Sequence, residues 1–189
     1  MSAIVSSIFG LFFRGEPLIS EEKMEEYRML SGFKPKDILR IYLSFRKYTE
    51  GSEFLSREVF LSIEGIKCNP LKDRICVCFG FDEEIGKLDF VGYLRGLAQF
   101  NSPGKRDLKL KTAFKLQDFD DDGQINKDDL IKYIGRISGE SLSSEEIETV
   151  ASNVLSESSS DPKQEFLSFA DFQRVVAPSD FQSKLLLPI

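Results

Sequence analysis

Apolar residues recur every three or four positions along most of the chain, which predicts helices almost throughout. Ser20 caps a helix carrying Met24, Tyr27 and Leu30, and Gly32 closes it. Pro35 starts the next, with Ile38, Ile41, Tyr42 and Phe45 on one face. Asn69-Pro70 opens a helix that turns Leu71, Ile75, Cys78 and Phe79 inward. Phe90, Tyr93, Leu94 and Leu97 mark another; Leu110, Ala113 and Phe114 follow, then Leu130, Tyr133, Ile134 and Ile137. The segment SSEEIETVASNVL carries a capping box from Ser143 to Glu146 and a face of Ile147, Val150, Ala151 and Val154.

A second pattern overlies the first. A short apolar phrase leading into a helix recurs as FLSREVF (54–60), KLDFVGY (87–93), QINKDDL (124–130) and FLSFADF (166–172). Its central residues, Leu55, Leu88, Ile125 and Leu167, are spaced by 33, 37 and 42. Helix–loop–helix repeats at such a period are units that cannot bury their faces alone and must pair. The expected fold is therefore all-α: four helix–loop–helix units in two lobes, with short antiparallel β-bridges between paired loops. The expected parts are an N-terminal extension at 1–31 with an apolar segment and a helix, and a first pair at 32–100. A linker at 101–107 (NSPGKRD), a second pair at 108–177 and an apolar tail at 178–189 follow.

The third phrase sits in an unusual run. DFDDDGQINKDD, residues 118–129, places six carboxylates and one glycine in twelve positions. Most acidic runs are solvated faces. Here, however, the oxygen-bearing residues fall at positions 1, 3, 5, 7, 9 and 12 of an EF-hand calcium loop, with glycine at 6 for its sharp turn. Those positions are Asp118, Asp120, Asp122, Gln124 (through its backbone carbonyl), Asn126 and Asp129; Gly123 is at 6 and Ile125 at 8. One calcium site is predicted. Asp129 is a methylene shorter than the usual glutamate at position 12, so magnesium is expected to compete.

The other loops have lost their ligands in the same register. The first, 48–59, has Tyr48 and Val59 at its ends; the second, 81–92, keeps Gly86 at position 6 but ends in Phe81 and Gly92. In the fourth, Ser160 comes first, Pro162 third, Lys163 fourth, and Glu165 replaces the glycine. Asp161, Glu165 and Asp171 leave some oxygen there, but the proline and the missing turn glycine work against a shell of converging ligands.

These motifs resemble the calcineurin B branch of the EF-hand superfamily over about residues 32–189. GFKPKDILRIYLSF, NPLKDRI and GLAQF resemble the calcineurin B homologous proteins. DFDDDGQINKDDL, RISGE and the ending DFQSKLLLPI resemble the calcium- and integrin-binding proteins more closely. A degenerate first loop is common to both groups; loss of the fourth loop, and Ser2 in place of the glycine of lipid-anchored relatives, are departures. The resemblance implies a regulatory or adaptor subunit that clasps an amphipathic helix of a larger protein in a hydrophobic groove. A phosphatase catalytic subunit, a membrane exchanger and a receptor tail are the kinds of partner it suggests. The alternative is a stand-alone calcium or magnesium buffer or sensor, against which three lost sites argue.

Composition narrows the rest. The 189 residues carry a net charge of −6 with no basic stripe, which argues against a nucleic-acid partner. Histidine is absent, which removes the commonest general base and the Ser-His, Cys-His and zinc constellations; no enzyme is expected. Three cysteines, Cys68, Cys76 and Cys78, and no leader of the usual form predict a cytoplasmic setting. Cys76-x-Cys78 is read as packing. Ile4 to Phe13 is apolar, too short to span a bilayer, and at roughly helical spacing through Ile4, Val5, Ile8, Leu11 and Phe12. Only Arg14 supplies nearby positive charge, so docking on protein is favoured over a membrane surface, with membrane association through this segment or a partner as the alternative. The tail's Leu185, Leu186, Leu187 and Ile189 are expected either to cover the groove or to pack on the last helix.

Overall fold

The computed structural model describes residues 12–13, 16–81, 86–101, 106–158, 164–176 and 187. Among them the chain is mostly helical. Two short strands, β1 (Phe12–Phe13) and β2 (Glu16–Pro17), pair antiparallel. Then come α1 (Glu21–Ser31), α2 (Pro35–Tyr48), β3 (Phe54–Ser56), α3 (Arg57–Ser62), α4 (Glu64–Lys67), α5 (Lys72–Phe79), β4 (Lys87–Asp89) and α6 (Phe90–Asn101). The last part is α7 (Arg106–Gln117), β5 (Ile125–Asn126), α8 (Lys127–Ser138), α9 (Ser144–Ser158), β6 (Phe166–Leu167) and α10 (Phe169–Val175).

The end signals work as the sequence implies. Ser20 accepts from the N–H of Lys23, and Gly32, at φ 76°, closes α1 in the left-handed conformation that glycine adopts without steric cost. Pro35 occupies the first turn of α2, where its missing N–H removes no helical bond. Ser143 and Glu146 exchange the two bonds of a capping box at the head of α9. Phe12–Phe13 form a strand where the helical spacing predicted helix; the rest of that apolar segment lies outside the described residues.

β3 pairs with β4 and β5 with β6, both antiparallel, with Leu55 opposite Leu88 and Ile125 opposite Leu167. The four central residues of the repeat are thus partners in two bridges, and all four are buried. Each bridge ties the exit of one loop to the exit of the next.

The chain divides into two compact units. Among the described residues, the first takes in those up to Phe60 and those from Phe79 to Asn101; the second takes in Leu61–Cys78 and those from Arg106 onwards. The stretch Leu61–Cys78, which the sequence places with the first pair, therefore has its contacts in the second unit. In the first unit Phe90 receives the rings of Tyr27, Tyr42 and Phe45 edge-on at 5.0–5.4 Å, and Ile38, Ile41 and Leu94 are buried. The core of the second unit joins Leu110, Phe114, Ile125, Leu130, Leu155, Leu167 and Phe172. Two expected core positions lie outside it: Ile137 and Val150 are exposed, while Ala151 and Leu155 carry the buried face of α9.

Candidate metal centre

α7 ends one residue before Asp118, and α8 begins two residues before Asp129. The chain between them must therefore turn back sharply. Gly123 does so at φ 84°, with nothing within 4 Å of where a Cβ would stand, so backbone conformation rather than space requires glycine. Asp121 also adopts a positive φ, 57°.

The turn spends its N–H groups on carboxylates. Asp118 accepts from Asp122 (3.2 Å) and Gly123 (3.0 Å), and Asp120 accepts from Asp122 at 3.4 Å. Asp129 accepts from Phe119 through one oxygen (3.0 Å) and from Asn126 through the other (3.1 Å). One oxygen each from Asp118, Asp120 and Asp129 then converges, all within 4.8 Å of one another. Among the described residues this is the one group of three acidic or thiol side chains so placed.

The remaining predicted ligands stand differently. Asp122 is outside the trio and accepts from the N–H of Gln124 at 2.8 Å. Asn126 caps α8, its amide oxygen accepting from Asp129 at 3.0 Å. Gln124 is half-buried and precedes the bridge residue Ile125.

Asp118 and Asp129 are 5% and 0% exposed. Burial pushes both carboxyls above their ordinary range, although backbone N–H groups oppose the rise; Asp121 and Asp122 add to it at Asp118, and Asp120 at Asp129. Carboxylates buried and held this close resist ionising unless a strong counter-charge meets them. A hard divalent cation with a preference for oxygen ligands supplies that counter-charge, so the donor set fits calcium or magnesium.

The fourth loop is built differently. Its bridge residue Leu167 sets the register, placing Gln164 at position 5, Phe166 at 7 and Asp171 at 12. The Gln164 amide nitrogen donates to the Phe166 carbonyl (2.7 Å) and to Asp171 (3.0 Å). Asp171 also accepts from the backbone and hydroxyl of Ser168, at 3.1 and 2.6 Å, and pairs with Arg174 at 3.6 Å. An amide donor thus stands between two of the oxygens that an ion would take. Glu165 is exposed, while Ser160, Asp161, Pro162 and Lys163 lie outside the described residues.

Two residues that the sequence pattern passes over bear on the third loop and its partner. Arg74 of α5 is buried and forks onto Asp121 at 2.8 and 3.2 Å. No local signal could find it, since it lies 47 residues away. Gln164 was discoverable in principle: the register that flags ligands also flags an amide at a ligand position.

No family model matches the chain. The calcineurin B protein of Naegleria gruberi is 28% identical over 167 residues, which are 88% of this chain and 93% of that protein. The similarity runs through nearly the full length of both and supports a calcineurin B-like relationship. No helix among the described residues is long and apolar enough to cross a membrane.

Proposed function

We propose that this chain is a non-catalytic, ion-binding regulatory or adaptor protein, made of four EF-hand units of which only the third holds a divalent ion. The observation that carries the reading is the convergence of Asp118, Asp120 and Asp129, two of them buried, in a loop of ion-binding register. Asp118, Asp120, Asp122, the Gln124 carbonyl, Asn126 and Asp129 are the ligands, the last ones directly or through water. Both oxygens of Asp129 already accept backbone N–H groups. A short carboxylate so engaged offers the ion one oxygen or a bridging water, which disfavours calcium's larger shell relative to magnesium's octahedron. Calcium binding is therefore weakened and magnesium competes.

The fourth loop holds none, because Gln164 bridges its position 5 to its positions 7 and 12 without a cation. One site in four suits a permanent member of a complex more than a buffer, and it leaves little ion-binding energy to switch conformation. The similarity to a protein named for its place in calcineurin favours the same reading. The partner is an amphipathic helix of a larger cytoplasmic or membrane-anchored protein, bound in an apolar groove. Leu187 of the tail is buried, in keeping with an apolar end that stays out of water. The test is affinity purification of the tagged chain with mass spectrometry, followed by titration of the partner's helix by fluorescence anisotropy. A larger protein should copurify and its isolated helix should bind; recovery of the chain alone would favour the buffer.

A further inference from the structure

The N–H groups that orient the ligand carboxylates leave carbonyls behind. In a continuing helix the N–H of Phe119 would bond to the Lys115 carbonyl, that of Asp122 to Asp118, and that of Gly123 to Phe119. All three N–H groups instead serve Asp129, Asp118 and Asp120. The three carbonyls so released are the ones that Arg74 takes. Its Nη2 donates to Lys115 at 2.6 Å and to Asp118, and its Nη1 reaches Phe119 at 3.5 Å.

We propose that Arg74 is the positioning residue of the ion loop, holding the backbone in the non-helical form that aims Asp118 and Asp129 at the ion. This inference rests on the ion-binding reading above. Without the guanidinium, three orphaned carbonyls would compete with the carboxylates for the same three N–H groups, and α7 would tend to run on into the loop. The Asp118 carbonyl among them is buried, and a buried carbonyl rarely stays unpaired.

The surroundings keep the guanidinium in place without repelling a cation. Its charge is matched by Asp121, whose left-handed backbone is pinned by the forked pair. The Phe119 ring lies near two guanidiniums, Arg74 at 5.4 Å and Arg136 at 5.1 Å, and Arg136 pairs with Asp73, the neighbour of Arg74. α5 is thereby strapped to the loop at its entrance and to α8 beyond its exit, within the second unit to which Leu61–Cys78 belongs. A lysine would keep the charge but lose the planar fork that reaches several acceptors at once.

The experiment compares full-length wild type, Arg74→Lys and Asp118→Ala after chelator treatment. Calcium alone is titrated by calorimetry, and amide exchange is followed in the calcium-free protein. Arg74→Lys should raise the calcium dissociation constant by about tenfold, the low end of the usual cost of an outer-shell partner. It should also change the exchange rates at Phe119, Asp122 and Gly123, whose N–H groups change acceptor. A residue that merely stabilised the fold would lower the melting temperature and leave the dissociation constant unchanged; that result, or exchange unchanged at those three amides, overturns the proposal. If wild type binds no calcium, the ion-binding reading fails, and the exchange rates still decide whether Arg74 sets the loop. Should Arg74→Lys not fold, Asp121→Asn, at the solvent-facing end of the same contact, carries the exchange test with the same outcomes.

Discussion

The three cysteines occupy two kinds of surroundings. Cys68 is exposed, whereas Cys76 and Cys78 are 2% and 5% exposed on α5. Burial pushes the Cys78 thiol up to about 11, so almost no thiolate forms near neutral pH. One thiol per chain should therefore react quickly with a disulfide reagent in the native protein, and all three in denaturant. Three equally fast thiols would show that α5 is not seated as described. At this scale the convergence of Asp118, Asp120 and Asp129 was legible because the loop strings them along one contiguous register. Arg74 was not, since nothing near Arg74 in sequence says which carbonyls a distant turn will orphan. Gln164 lies between: its position was readable, but that its nitrogen faces the Phe166 carbonyl and Asp171 is a matter of side-chain geometry.

Helices and bridges were the most legible level, because apolar period and cap chemistry act locally. The exceptions have physical causes. Ile137 and Val150 keep the helical period yet stand exposed, since periodicity marks an apolar stripe but not its edge. The segment ending at Phe13 fits a helical wheel, but its last two residues pair with Glu16–Pro17 instead. Gly96 in α6 shows a constraint that periodicity cannot reveal. A Cβ there would lie 2.2 Å from the Phe79 ring, which itself packs on Phe60 and Phe100. Alanine is a better helix former than glycine by about 1 kcal/mol. Overpacking a seated aromatic ring costs about 1–3 kcal/mol, so the clash outweighs the gain. Gly96→Ala should lower the thermal midpoint by several degrees; an unchanged or raised midpoint would mean that α6 and Phe79 do not meet this closely.

Across the molecule, two bridges join four repeats in pairs, yet the loops they join differ in chemistry. In the second unit β5 and β6 tie a loop of converging carboxylates to one closed by its own amide. The repeat spacing made the pairing of loops readable, but the passage of Leu61–Cys78 into the second unit was not, since contacts such as those of Asp73 and Arg74 reach residues far along the chain. The proposed function gives an ion to one loop of the four. Calorimetric titration of the chelator-treated protein with calcium, with and without magnesium, tests it most directly. One site per chain is expected, weakened by magnesium and abolished by Asp118→Ala. Two or more tight sites, or binding that survives Asp118→Ala, would contradict it.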